Sequence, residues 1–336
     1  MSKNKKINYA GFLFVGDPHL TSIKPGSRLD VNFAETVLDK INQAVEIALK
    51  ENLYLIFLGD LFHTEKENNI ELLTKLVRIL KKLPEPCASI GGNHEKKEIH
   101  LTDSVAISLL REAGILYTLE KNQLWKTFLI ENTSVHIGST PYGLDIPKEV
   151  QVPETENSSF TIWLTHHDLD FGNSYPGVIP LHEIKSVQLL VNGHIHTTKK
   201  PKKLGNMVAY NPGNITRMSR DCQDHIPSVW MWKPSLGQTL EPIVLKYEKN
   251  IFDMVGFQIT AEKIKPIIDD ELKPEHTSSF VRAMEQNLLN QDPQKTDDGE
   301  HLKKMIKTLA LALNVNEEFS NDLLILADET IQKLNE

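Results

Sequence analysis

Cysteine is nearly absent from this sequence: 336 residues hold two, Cys87 and Cys222, far apart and in no CxxC pair. That excludes a disulfide framework and a thiolate zinc site, and it makes a reducing cytoplasm the natural compartment. Long apolar runs are missing too. Ile7 to Val15, behind a few lysines, imitates a signal peptide, but Asp17 breaks the run and no A-x-A site follows, so it reads as a first strand. No stretch reaches the roughly eighteen apolar residues that a membrane span needs. An excess of positive charge is also lacking. The net charge is -8, of which residues 261–336, with 16 acidic and 9 basic residues, contribute -7; the rest holds 28 basic and 29 acidic residues. Such a balance argues against a protein that holds nucleic acid by bulk electrostatics alone, and leaves a metal site or a partner as the route.

What is present is α/β patterning. "AGFLFVG" reads as a buried strand, and "LYLIFLGD" as the next. Between them Val37, Leu38, Ile41, Val45, Ala48 and Leu49 form one helical stripe, with Asp30 as a candidate N-cap. "NIELLTKLVRILKKL" is a further helix, and "CASIGG" a third strand. Repeated β-α-β units predict buried, largely parallel strands. After Gly114 the chain turns strand-rich, from "ILYTLE" to "PIVLKY", which predicts two packed sheets with helices on the outer faces. A core over residues 1–258 is then followed by a tail over 259–336. There Leu302, Met305, Ile306, Leu309 and Leu313 mark one amphipathic helix, and Phe319, Leu323, Leu326 and Leu334 another.

Five motifs, each after an apolar run, bring Asp, His and Asn to strand ends. They are "GDPHL" (Asp17, His19), "GDLFH" (Asp60, His63), "GGNHE" (Asn93, His94), "THHDLD" (His166, His167, Asp168) and "NGHIH" (His194, His196). Each alone has a plain reading: a chance D-x-H, a polar turn, a histidine pair at a sheet edge, or a polar strand face. Together they offer carboxylate, imidazole and amide ligands with no thiolate, a set that suits Mn²⁺, Fe²⁺ or Zn²⁺. So many ligands call for two ions, and two ions about 3.5–4 Å apart acidify a water and clamp a phosphate ester.

In order and spacing these blocks, from Gly16 to His196, resemble the calcineurin-like metallophosphoesterases. The resemblance implies a four-layer α/β/β/α sandwich with a C-terminal helical extension. It assigns Asp17, His19 and His196 to one ion and Asn93, His166 and His194 to the other, with Asp60 bridging; His166 is preferred to His167 because the family ligand directly ends its strand. His94 would face the scissile phosphate as general acid or as a positive charge. "GDLFH" and "NPGNITRMSRD" are similar to the SbcD-type double-strand-break repair nucleases and their phage relatives, which makes His63 a second phosphate-facing imidazole and aligns Arg217 with that subfamily's arginine. It further implies Mn²⁺ as the ion, DNA as substrate, and C-terminal helices that grip an SMC-like coiled-coil ATPase; "LLTKLVRIL" has the apolar content for the homodimer contact of such nucleases and equally for packing on its own sheet.

The chain departs from that pattern at Glu95, where Asp is commoner, at Asn214, where Ser is usual, and in a stretch after the core too short for a full capping domain. A second enzyme reading keeps the chemistry and changes the substrate to a small phosphodiester, a nucleotide or a phosphoprotein. A third, a scaffold without catalysis, would be marked by lost metal ligands, and none is lost. The run "KKPKK", Lys199 to Lys203, reads either as a track for a nucleic-acid backbone or as a solvated hairpin tip.

Overall fold

The computed structural model describes residues 7–95, 101–172 and 179–253. Two six-stranded sheets dominate them. The first has the order β12-β11-β1-β2-β3-β4, the second β5-β6-β7-β8-β10-β9. In the first sheet β1 (Gly11–Val15), β2 (Leu53–Phe57), β3 (Cys87–Ile90) and β4 (Leu116–Leu119) run parallel, and β11 (Ser228–Trp232) and β12 (Glu241–Val244) add an antiparallel edge. In the second, β6 (Thr133–Thr140), β7 (Ser158–His166), β8 (Leu189–Gly193) and β10 (Met207–Asn211) are parallel, and β5 (Gln123–Ile130) and β9 (Lys199–Leu204) are antiparallel edges.

Strand periodicity explains the sandwich. Side chains alternate across a strand, so Phe12, Phe14, Tyr54 and Ile56 turn inward to meet Phe128, Ile137, Ile162 and Leu189 between the sheets. Leu13, Val15, Leu55 and Phe57 turn outward onto the helices. With both faces covered, no polar alternation is needed, which is why "GFLFV" and "LYLIF" read as unbroken apolar runs. Phe12 and Phe128 meet edge to face at 5.0 Å and 90°, a geometry that adds about 1 kcal/mol beyond area burial.

The helical layer consists of α1 (Phe33–Glu51), α2 (Ile70–Leu80) and α3 (Ala106–Glu112). α1 starts two residues later than the Asp30 cap predicts. Asn32 accepts from Glu35 N–H at 3.2 Å, while the Asp30 carboxylate is taken by the Thr36 hydroxyl at 2.9 Å. Leu49, expected on the apolar stripe, is 41% exposed. The outer face of the second sheet is covered, among the described residues, by loop residues such as Leu169, Ile184 and Val187.

Two sequence expectations change in the second sheet. β8 ends at Gly193, so His194 and His196 stand in the loop beyond it and do not share a strand face; His194 leaves the extended region at φ 74° while its N–H donates to the Asp17 carboxylate at 2.7 Å. The lysine run is no hairpin tip: it forms β9, and the turn falls at Gly205–Asn206. A small second unit includes residues 25–29, 219–221 and 252–253; in it Asp253 N–H donates to Ser27 O at 2.9 Å and the Arg28 guanidinium lies over the Phe252 ring. The tail helices and the 259–336 segment lie outside the described residues.

Candidate metal centre

The C-terminal ends of β1, β2, β3, β7 and β8 release the five motifs at one edge of the sandwich, where loops of a parallel sheet present ligands. The backbone there is strained. Asp17 (φ 29°), His19 (49°), Asp60 (45°) and His194 (74°) all occupy the left-handed region, which costs a non-glycine residue about 1–2 kcal/mol. Such strain collects where surrounding structure fixes a side chain for function. Two glycines permit the crowding: a Cβ on Gly92 would sit 2.0 Å from Asp60 Oδ1, and one on Gly59 (φ 103°) 2.2 Å from His166 Nδ1.

The ligand atoms form two linked groups. In the first, His19 Nε2 and His196 Nε2 stand 2.9 Å apart, and His196 Nε2 lies 4.0 Å from Asp17 Oδ2. In the second, Asn93 Oδ1 lies 3.1 Å from His166 Nε2 and 2.9 Å from His194 Nδ1. Asp60 Oδ2 joins them, 3.8 Å from His19 Nε2 and 3.2 Å from His166 Nε2. All seven residues proposed as ligands from the sequence are therefore brought together. His166 Nδ1 donates to Leu58 O at 2.6 Å, which leaves its Nε2 lone pair facing the cluster. Its neighbour His167 turns away, donating from Nε2 to Leu144 O at 2.9 Å.

The residues fit a pair of divalent cations. Asp17 Oδ1 and Asp60 Oδ2 are buried and accept no hydrogen bond among the described residues. An unsatisfied buried carboxylate oxygen costs several kcal/mol, and a cation between the groups removes that cost. Burial pushes the Asp17 carboxyl up, against the His166 imidazole. Burial also opposes ionisation of Asp60, but His166, His19 and His94 outweigh it and hold its carboxyl below the usual range. Burial keeps His19 well below its ordinary value, and takes His194 down to about 3, so both present neutral lone pairs. At His166 burial is overcome by Asp60, which raises it to about 9, so cation binding at this half competes with a proton.

His63 and His94 flank the first group. Their rings stack at 5.2 Å and 23°, and both lie edge-on to His19, at 5.4 and 4.8 Å. His94 Nδ1 donates to the His63 backbone carbonyl at 2.7 Å, which leaves Nε2 as the nitrogen that exchanges a proton. Its backbone N–H donates to Asp60 Oδ1 at 3.0 Å.

Glu95 acquires a structural account. Its buried carboxylate accepts from Leu61 N–H at 2.7 Å and Gly92 N–H at 3.2 Å, tying the Asp60 loop to the Asn93 loop. Arg217 does not reach the cluster chemistry: buried, it donates to the carbonyls of Gln223, Lys249 and Glu248 and lies over the Tyr247 ring. Sequence reasoning missed Tyr142, whose ring packs 5.5 Å from that of His194 and is 38% exposed. It also missed Asn192, and it gave Asn211, part of "NPGNITRMSRD", no structural role. The Asn192 amide binds Thr165, His167 and Asn211, and the Asn211 amide holds Ile195 O and Thr197 O at 2.8 and 3.0 Å, so together they brace the two histidine loops. Asn immediately before "GHIH" was the only signal for the first, and nothing in the pattern marked Tyr142.

Comparison with known families points the same way. The family model described as calcineurin-like phosphoesterase matches residues 11–198. No curated protein matches the sequence. Among solved structures, a novel archaeal phosphodiesterase aligns at 14% identity over 70% of this chain and 99% of its own, with a TM-score of 0.35. The protein TT1561 of Thermus thermophilus aligns at 12% identity over 71% and 100%, with a TM-score of 0.42. A 5′-nucleotidase precursor from the same organism aligns at 13% identity over 77% of this chain and 59% of its own, also at 0.42.

Proposed function

The chain belongs to the calcineurin-like phosphoesterase family, and from that membership we propose that it is a Mn²⁺-dependent DNA phosphodiesterase, exonuclease and endonuclease, that processes double-strand breaks or recombination intermediates. Its hydrolytic class, a metal-dependent phosphoesterase, follows from the family. The observation that supports DNA as substrate is the imidazole pair: "GDLFH" sets His63 in a stack with His94 beside the ligand cluster, so two imidazoles rather than one can meet the phosphate. In this reading Asp17, His19 and His196 would hold one ion, Asn93, His166 and His194 the other, and Asp60 would contribute to both.

When bound, the two ions supply charge neutralisation at the phosphoryl oxygens and a water of lowered pKa. The protein's own residues do the rest. Asp60 fixes the His94 backbone through the N–H bond at 3.0 Å, and the His63 carbonyl holds its Nδ1–H, so the protonated His94 imidazolium turns its Nε2–H to the departing sugar oxygen, gives up that proton and is left neutral. His63 adds a donor to the phosphate. The tail over 259–336 is assigned to an SMC-like coiled-coil ATPase and the cytoplasm to the whole, in keeping with two buried free cysteines; Leu72, Leu76 and Leu80 of α2 are buried in the core shared with α1 and the first sheet. Among the described residues no helix is long and apolar enough to cross a membrane.

The near balance of charge before residue 261 favours a second reading, a small phosphodiester or nucleotide substrate. Cleavage of linear duplex DNA with Mn²⁺, beside hydrolysis of bis(p-nitrophenyl) phosphate, separates the two. The nuclease reading expects both substrates to be cleaved. Hydrolysis of the ester with no DNA cleavage, with and without an SMC-like ATPase, would leave only the second.

A further inference from the structure

The lysine run left unabsorbed by the catalytic cluster has a definite place in the fold. Among the described residues β9, "KKPKKL", is an edge of the second sheet, paired only to β10. It begins three residues after His196, and its first residue, Lys199, pairs with Asn211, whose amide also holds the backbone of Ile195 and Thr197. The strand is thus tied to the histidine loop and leads away from it, covering about 20 Å in six residues.

The four lysines are not equivalent. Lys202 Nζ donates to Asp170 O at 3.2 Å, and Lys199 stands beside the Asp168 carboxylate. Lys200 and Lys203 are exposed and have no ion-pair partner among the described residues. They lie about 10 Å apart along the strand, the axial rise of about three nucleotides. The surrounding sequence reinforces them: from Ile184 to Arg220 there are seven Lys and Arg and no Asp or Glu, in a chain of net charge -8. Edge strands are often blunted by a lysine and a proline. Pro201 and Lys202 meet that need, which leaves the exposed pair unexplained.

We propose that β9 is a docking edge for the sugar-phosphate backbone of DNA, with Lys200 and Lys203 contacting phosphates beyond the one being cleaved. The proposal rests on the nuclease reading and adds to it where the flanking nucleotides lie. It reconciles a core of nearly balanced charge with a polyanionic substrate, since four lysines lie on one strand that starts at the histidine loop and the surrounding segment holds no Asp or Glu.

The test uses the full chain and the K200E/K203E double variant, with a fluorescent 30-base-pair duplex titrated at 50 and 200 mM salt. Unfolding midpoints that match confirm that the edge is intact, and K200Q/K203Q serves as the milder variant if charge reversal perturbs it. Two lost phosphate contacts reduce the log–log salt slope by about 1.8, so the wild-type affinity falls about twelvefold more than the variant's over that range. At 50 mM salt the variant binds at least tenfold more weakly. An unchanged affinity and slope, in a protein whose wild type cleaves DNA, would overturn the docking edge and spare the nuclease reading. Failure of the wild type to bind or cleave DNA would overturn both. Poly-glutamate competing as well as DNA at equal charge would overturn the assignment to a nucleic acid.

Discussion

The two sheets contribute unlike halves to one site. Loops after β1, β2 and β3 of the first sheet carry every oxygen donor, Asp17, Asp60 and Asn93, and both flanking imidazoles, His63 and His94. Loops after β7 and β8 of the second carry only imidazoles, His166, His194 and His196. The first sheet therefore supplies the negative charge and the proton donor, while the second closes each group with imidazoles, of which His166 gives up a proton on binding a cation. Neither half can hold two cations alone, so the site exists only when the aromatic layer between the sheets is packed, and cation binding reports on the sandwich itself.

Asp60→Asn should have the largest effect, because Asp60 Oδ2 lies within 4 Å of a ligand nitrogen in each group. Metal content measured by mass spectrometry should fall from two ions per chain to fewer than one, and turnover should drop to background. Within the first sheet, neighbours should separate. Asn93→Ala should weaken one ion by at least the roughly 10–100-fold seen for lost supporting contacts. His94→Gln should keep both ions while turnover falls about 10²–10⁴-fold. Equal metal loss in the two variants would undo that division.

A smaller effect is expected where the second sheet is merely covered. Tyr142→Ala removes the ring over His194, and kcat/KM should fall less than tenfold, about 1 kcal/mol. Least of all, His225→Gln should change only a pH slope. His225 supports the loop after His196, donating from Nε2 to Asn214 O at 2.6 Å, and burial holds it below its ordinary value. Its folded-state pKa being lower than its unfolded one, it contributes stability that is complete above pH about 6.5 and lost as pH falls below that value. The variant's unfolding temperature should decline less steeply on that acid side than the wild type's.

Much of this is legible in the sequence. Strand runs such as "LYLIF" are buried on both faces, so hydrophobicity alone marked them, and five strand-terminal motifs named seven residues that the fold brings together. What pattern could not supply was direction. "NGHIH" looks like a strand face, yet the Asp17 carboxylate draws the His194 N–H out of the ladder, a contact between residues 177 apart in sequence. Arg217 sits in a motif that resembles a nuclease signature, but its guanidinium is spent on the carbonyls of Gln223, Glu248 and Lys249. "KKPKK" contains a proline and alternates poorly, so only its pairing with β10 identifies a strand.

Electron paramagnetic resonance of the full chain titrated with Mn²⁺ tests the central claim most directly, that one carboxylate joins two groups into a dinuclear centre. The account predicts two equivalents bound with an exchange-coupled spectrum, and loss of the coupling in Asp60→Asn. A single uncoupled Mn²⁺ per wild-type chain would contradict it.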